Sequence, residues 1–392
     1  DSTVTATGDV TIAARVDAQA IAAATPLGVS TDVDAAIGMA AVDTASTARV
    51  GGATTITAGG SLVVRAENAT RVEVVADAST VTAGGAVAVA LVTATSAATL
   101  DSSGAITAAD LAVTAETDAT VTTKAVASPE GATENDEAPD TTTGGGATTP
   151  SGTLGVAGAV AATTLTQSAT ARLAPTGAVV APDGIRVAAA SRSVSSADAD
   201  GTPVVDGATG VGAAIAVSRA DVATAATVEG GDYTTSSLTV EAVTARTAAG
   251  TANDHAATAV SGASTGSGGA TASVAVAGAV AISTATVDTT ARVAGGVVLR
   301  DPAGTADAIT GVEVEARSAK DVRAHATPSA PVAGETAGIG ASVAVGTLSD
   351  DTRSELGAGA TLTGAGALAI TADSAAGLDT LAEGGATGSG VR

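Results

Sequence analysis

Leu62-Val63-Val64-Arg65-Ala66 is one of seven copies of a single phrase: a large aliphatic, any residue, a second large aliphatic, any residue, alanine. The other copies begin at Val10, Leu111, Ile185, Leu238, Val312 and Leu368. In each, the first, third and fifth positions are apolar. The charges (Arg65, Arg186, Glu241, Glu313, Glu315) fall only on the second or fourth. A period of two places alternate side chains on opposite faces of a strand, so the phrase predicts a strand with one buried and one wet face. The copies start about 50 residues apart, with two intervals stretched to about 74, which is the mark of a repeat architecture.

A second phrase precedes each later copy of the first. A run of small apolar residues passes into Thr, Ala and Ser and ends at Ala48-Arg49-Val50, Ala98-Thr99-Leu100, Ala171-Arg172-Leu173, Ala226-Thr227-Val228 and Ala291-Arg292-Val293, with a weaker copy at Ser354-Glu355-Leu356. Arginine alternates with threonine at the middle position (Arg49, Thr99, Arg172, Thr227, Arg292). If these positions stack, the alternation keeps like charges apart. The apolar runs Gly84-Gly85-Ala86-Val87-Ala88-Val89-Ala90 and Gly210-Val211-Gly212-Ala213-Ala214-Ile215-Ala216-Val217 read as more deeply buried strands.

Composition narrows the class. The chain has 392 residues, is 45% hydrophobic, and contains no Phe, no Trp and one Tyr, Tyr233. Its apolar volume therefore comes from Ala, Val, Leu and Ile, which suit a thin interior between closely spaced sheets. An Ala-rich helical repeat is disfavoured by the abundance of Thr, Val and Gly and by the absence of i, i+3, i+4 spacing. Immunoglobulin-like modules need about 100 residues and a buried aromatic core. The expected fold class is all-β, a β-solenoid (parallel β-helix) of about seven ~50-residue units. At two or three coils per unit, it would form a rod of about 70–100 Å.

The array is read as a single unit over 1–392, interrupted by two loop insertions. Residues 129–152 are acidic and rich in Gly and Pro, and 250–269 are rich in Gly and Ser. A further turn is expected at Asp301-Pro302-Ala303-Gly304. The net charge of −23 lacks the basic footprint that nucleic acid requires. The longest apolar run, residues 274–282, is about half a membrane span, so no span is expected in this segment. There are no cysteines. The chain opens on Asp1 and enters the repeat pattern at once, as expected of an excised piece or a processed mature chain.

The succession Gly85-Ala86-Val87-Ala88-Val89, Thr95 through Leu100 in the pattern Thr-x-x-Ala-x-Leu, and Gly104-x-Ile106-Thr107-Ala108 leading into Leu111-x-Val113-x-Ala115 resembles the repeats of long bacterial surface adhesins of the filamentous-haemagglutinin-like and leukotoxin type. The resemblance covers nearly the whole chain outside the insertions. It implies secretion, a β-helical stalk or passenger, and attachment at an extracellular or cell-surface location. Such repeats are often rich in Asn, whereas this chain has only Asn68, Asn135 and Asn253, so Asn ladders are not expected.

Few residues suggest chemistry. Gly262-Ala263-Ser264-Thr265-Gly266 matches a nucleophile elbow, but that motif needs a strand–turn–helix context, and the surroundings carry no helical pattern. His255 and His325 lie in different units, lack metal-ligand spacing, and are expected at the surface or in turns. Asp198-Ala199-Asp200-Gly201 resembles half a calcium loop, with Asp350-Asp351 and the 134–140 cluster as further carboxylates, but the closing bidentate acid is missing. Glycosidase chemistry needs two placed carboxylates and favours aromatic platforms, of which only Tyr233 is available. Thr3-Val4-Thr5-Ala6-Thr7 suggests an ice-binding row that does not recur in register. Asn68-Ala69-Thr70 is a single glycosylation sequon. No catalytic residue, cofactor or metal is therefore expected. The expected role is a structural or adhesive segment that continues into further repeats, stacks end to end, or meets a host or cell-surface ligand. A β-helical carbohydrate-active enzyme and an ice- or calcium-binding module are the alternatives.

Overall fold

The computed structural model describes residues 2–25, 33–78, 83–127, 154–205, 209–244, 253–262, 264–265, 272–302, 309–328 and 334–384. The strands pair in parallel and form three stacked sheets. A narrow sheet stacks Ser2–Ala6, Thr54–Ala58, Ile106–Thr107, Val179–Ala181, Gly231–Thr235, Val297–Arg300 and Thr361–Leu362. A second sheet, here the charged sheet, stacks Val10–Ala24, Leu62–Asp77, Asp110–Val126, Gly184–Gly201, Gly311–Pro328 and Leu368–Ala382. Between the fourth and fifth of these lies one level in two pieces, Ser237–Thr244 and Asn253–Ser261. A third sheet, the aliphatic sheet, stacks Val33–Gly52, Ala83–Ser102, Leu154–Leu173, Thr209–Val228, Ala272–Val293 and Gly334–Leu356. Val204–Val205 and Ser264–Thr265 make a small additional pair.

The chain visits the sheets in the order narrow, charged, aliphatic, and then returns to the narrow sheet one level on. Pairing follows the sequence repeat residue by residue. Val10 lies on Leu62, Leu62 on Leu111, Leu111 on Ile185, Ile185 on Leu238, Leu238 on Val312 and Val312 on Leu368. The second phrase stacks likewise through Val50, Leu100, Leu173, Val228, Val293 and Leu356. The chain is thus all-β with parallel sheets, an arrangement consistent with a β-helix or solenoid-like fold.

Each unit makes one circuit, not two or three, because its strands run to 20 residues. Seven levels are therefore only about 29 Å deep, while a 20-residue strand is about 66 Å long. The expected 70–100 Å rod is replaced by a broad, shallow stack. The segment 250–269, expected as a loop, contains the core strand Asn253–Ser261. The 129–152 insertion lies outside the described residues, and of the 301–304 turn only Asp301 and Pro302 are described.

The inward side chains divide into two apolar lobes. Beside the narrow sheet the three walls leave room for large aliphatics such as Ile56, Leu100, Leu111, Leu173 and Leu299. Tyr233 sits in this lobe, stacked between Val179 and Leu299, with its hydroxyl donating to the Glu229 carbonyl at 2.7 Å. Farther along, where only the charged and aliphatic sheets face each other, the filling is mostly alanine. Small residues there allow the two backbones to approach. At the corner leading into the narrow sheet, Gly52, Gly296 and Gly359 have φ of 68°, 82° and 85°, a left-handed turn that favours glycine.

Burial differs sharply between inner and terminal coils. Leu111 is 1% exposed and Leu368, its equivalent in the last coil, is 48% exposed. Leu111→Ala is expected to cost about 2–4 kcal/mol and Leu368→Ala well under half of that, measured by urea denaturation. Equal losses would contradict the stacking.

Candidate interaction surfaces

Between the two apolar lobes runs a polar seam that bridges the charged and aliphatic sheets through the interior. Thr44 Oγ1 meets Thr70 Oγ1 at 2.8 Å, Ser96 Oγ meets Thr117 Oγ1 at 2.6 Å, and Thr244 Oγ1 meets Thr289 Oγ1 at 2.8 Å. Gln167 Nε2 donates to the carbonyls of Thr117 and Arg192 at 2.8 and 2.9 Å. Asn68, the sequon residue, is buried within the seam and donates to the Thr44 and Thr95 carbonyls at 3.0 and 2.9 Å. It cannot accept a glycan in the folded chain.

His255 belongs to the same seam, against the surface or turn position expected for it. It is fully buried, with Nδ1 2.9 Å from Ser195 Oγ and Nε2 3.4 Å from Ser193 Oγ. Burial penalises the imidazolium and lowers its pKa to about 4. The sequence signal was present but masked by the glycines nearby: Asn253, His255, Ala257 and Ala259 share one alternation phase. Both ring nitrogens face serine hydroxyls in the interior, so the arrangement positions a neutral histidine.

Lys320 is the second unexpected interior group. It is 0% exposed, and its Nζ lies 2.5 Å from Asp350 Oδ1, 2.9 Å from Ser318 Oγ and 3.1 Å from Ser374 Oγ. Burial works against the Asp350 charge, but hydrogen bonds from Lys320 and Ser374 outweigh it and hold the carboxyl below its usual range. Asp351, its sequence neighbour, points outward to Arg353 at 2.8 Å. The pair Asp350-Asp351 therefore does not converge on one site.

The outer face of the charged sheet carries ion pairs within and between coils. Arg192 meets Glu116 at 2.6 Å, Arg186 meets Glu241 at 2.7 Å, and Arg323 pairs with Asp254. Of the charges expected to face water, Arg65, Arg186 and Glu313 are exposed and Glu241 is half-buried, whereas Glu315 is largely covered and pairs with Arg317. His325 is on this face, 2.9 Å from Asp379 Oδ2. Asp198 and Asp200 also face outward, but from an extended strand, which does not wrap a cation as a calcium loop does. Burial pushes both carboxyls up, partly offset by hydrogen bonds involving Thr258 and Thr202 respectively. Among the described residues no group of three or more His, Cys, Asp or Glu is placed to hold a metal ion. The arginines of the second phrase stack in the order Arg49, Thr99, Arg172, Thr227, Arg292, as the alternation required. They pair with Asp101 at 2.6 Å, Glu229 at 2.5 Å and Glu355 at 3.6 Å.

On the narrow sheet, Thr5, Thr57 and Thr107 stack, but the row continues as Val180, Thr234 and Arg300. Ser264 lies in the two-residue strand beside Val204, not at a strand-to-helix elbow. Tyr233 is buried and is no platform for a sugar.

The outer face of the aliphatic sheet is of a different kind. The runs expected to be buried on both sides are buried on one side only. Facing outward, one row stacks Ile37, Val87, Val160, Ile215, Val280 and Val343, and the next stacks Met39, Val89, Ala162, Val217, Ile282 and Val345. Ile37 is 67% exposed, Ile215 42% and Val343 52%, so the exposure runs through the middle coil as well as the end coils. The outward charges of this sheet lie in its other half, from Arg219 and Asp221 onward to the Arg49–Arg292 row. Sequence pattern alone could not separate such a row from a core row, because both read as unbroken Val, Ile and Ala.

No family model, no curated protein and no solved structure matches the chain. Among the described residues no helix is long and apolar enough to cross a membrane.

Two experiments test the seam. Asp350→Ala strands a buried ammonium and is expected to cost about 3–5 kcal/mol, while the double change Asp350→Ala with Lys320→Met recovers most of the loss in urea denaturation. The folded pKa of His255, about 4, lies below its ordinary value of 6.5, so the unfolded chain takes up this proton first as pH falls. Its effect is absent above pH 6.5 and grows as a destabilisation down to about 4. Stability should therefore fall more steeply with acid over that window in the native chain than in His255→Gln, and equal slopes would show that the ring titrates freely.

Proposed function

We propose that this chain is a structural segment, a stalk or passenger, of a secreted or cell-surface bacterial protein. On this reading it folds as a single β-solenoid of about seven repeat units whose stability grows by nearest-neighbour terms. The supporting observation is the state of the last coil. Leu368, Ile370 and Leu378 occupy the register of the buried Val312, Val314 and Val322, yet are 48%, 43% and 54% exposed. An inward face of this kind is completed by one more layer, supplied by further repeats or by a second chain stacked end on. Every coil is built alike, and such a unit presents length and surface. The strong negative charge keeps a broad exposed surface dispersed in water.

Localisation tests the reading. Antibodies raised against this chain should label intact, unpermeabilised cells of the source organism or recover the protein from the medium. Confinement to the cytosol would overturn it. In solution scattering, end-on stacking should lengthen the particle with concentration at constant cross-section.

A further inference from the structure

The outward half of the aliphatic sheet is not accounted for by stacking along the axis, since it lies on the side of the coil. Its size, chemistry and relief point to one occupant. Six strands ~4.8 Å apart and four outward rows ~6.7 Å apart give a face on the order of 600 Å². One face is as large as the largest patch of an ordinary monomer, and two such faces bury about 1,200 Å² when docked, at the lower end of the range of stable interfaces. At a net charge of −23, two copies repel through most of their surfaces. They repel least through this half-sheet, whose four outward rows contain no charged residue.

The face also has relief. A row of small residues (Gly85, Gly158, Ala213, Gly278, Ala341) forms a groove between two rows of larger side chains. On one side stand Val156, Val211, Val276 and Ile339, and on the other stands the row of Ile215. A Cβ added at Gly85, Gly158 or Gly278 would meet nothing within 4 Å, and none of the three has a positive φ. Neither packing nor backbone geometry within one chain requires glycine at these positions, where it weakens a strand.

We infer that this half-sheet docks face to face on the same half-sheet of a second copy, the Ile215 ridge of each copy seated in the glycine groove of the other. The order of the rows fixes the orientation. They run ridge, groove, ridge, ridge, so a two-fold axis along the stack sets the Ile215 ridge of each copy opposite the partner's groove and the two outer ridges opposite one another, whereas an axis along the strands would set groove on groove. The interface is thus isologous, with the stacks parallel and the facing strands antiparallel. It is independent of end-on stacking, which uses the coil ends.

Filling the groove tests this sharply. Gly158→Val with Gly278→Val adds apolar surface and β-branched residues at uncrowded strand positions, so thermal stability of the single chain should be unchanged or higher. Dimer affinity by sedimentation equilibrium should nevertheless fall at least about tenfold, as expected for loss of a central packed contact. Ile215→Lys should also abolish the dimer. Scattering should show the native dimer as a particle of doubled cross-section and unchanged axial length. A native chain that is monomeric, or a double variant that associates as well or better, would overturn the proposal. Flotation of the native monomer with phosphatidylcholine vesicles would overturn it in favour of a lipid surface. End-on lengthening that persists in the double variant would leave the structural-segment reading intact while the lateral interface fails.

Discussion

Each residue in this stack lies about 4.8 Å from its own equivalents in the coils before and after it, and the rest of the structure follows from that spacing. In-register parallel pairing sets like on like, so a side chain must tolerate its own kind as a neighbour on both sides. Aliphatics do this without cost, and the ladder from Val10 to Leu368 is aliphatic throughout. Arginine does not, and the Arg49 row interposes threonine between successive guanidiniums. Acids from the following coil, Asp101 for Arg49 and Glu229 for Arg172, then pair with those that remain. Exposed pairs of this kind contribute about 0–1 kcal/mol each, so their effect is chiefly to permit the register that burial stabilises.

The long strands create a second problem, which the polar seam solves. A coil with walls of 20 residues encloses a flat interior, wide near the narrow sheet and thin elsewhere. Leu and Ile fill the first region and Ala the second, and the seam lies between them. Hydroxyls, amides and one lysine there bond across to the opposite wall, which fixes the lateral offset of the two sheets in a way that small apolar residues cannot, while the one imidazole bonds to serines of the neighbouring coil in its own sheet. A hydrogen-bonded seam has directional partners, whereas alanine on alanine can slide. The distribution of polar residues thus supplies the specificity that an aromatic core would give an ordinary domain.

With the interior filled by side chains, function falls to the surfaces. The charged sheet is covered by its own ion pairs, the last coil presents an unfinished inward face, and half of the aliphatic sheet presents apolar rows to water. The latter two are the places where the chain's own contacts are incomplete. Both invite more of the same kind of surface, along the axis in one case and across it in the other. A protein assembled from equivalent coils is suited to extension along the axis, because every coil added there repeats an interface that already exists.

The anchors and their spacing, read alone, pointed to strands, to the phase each anchor residue keeps and to the near-50-residue unit, and left the stacking of the arginine row as a condition, because alternation and repetition are properties of the linear chain. The number of circuits per unit was not legible, since a run of alternating residues does not say whether it bends, and only pairing across coils shows 20-residue walls. Nor were the places of His255, Asn68 and Lys320. Each keeps the inward phase of its strand, but a polar residue in that phase reads as a break until its partner is seen, on the opposite wall for Asn68 and Lys320 and in the neighbouring coil for His255. The exposed aliphatic rows were hidden for the converse reason. Hydrophobicity records what a side chain prefers, and only the tertiary structure decides whether another wall stands there to cover it.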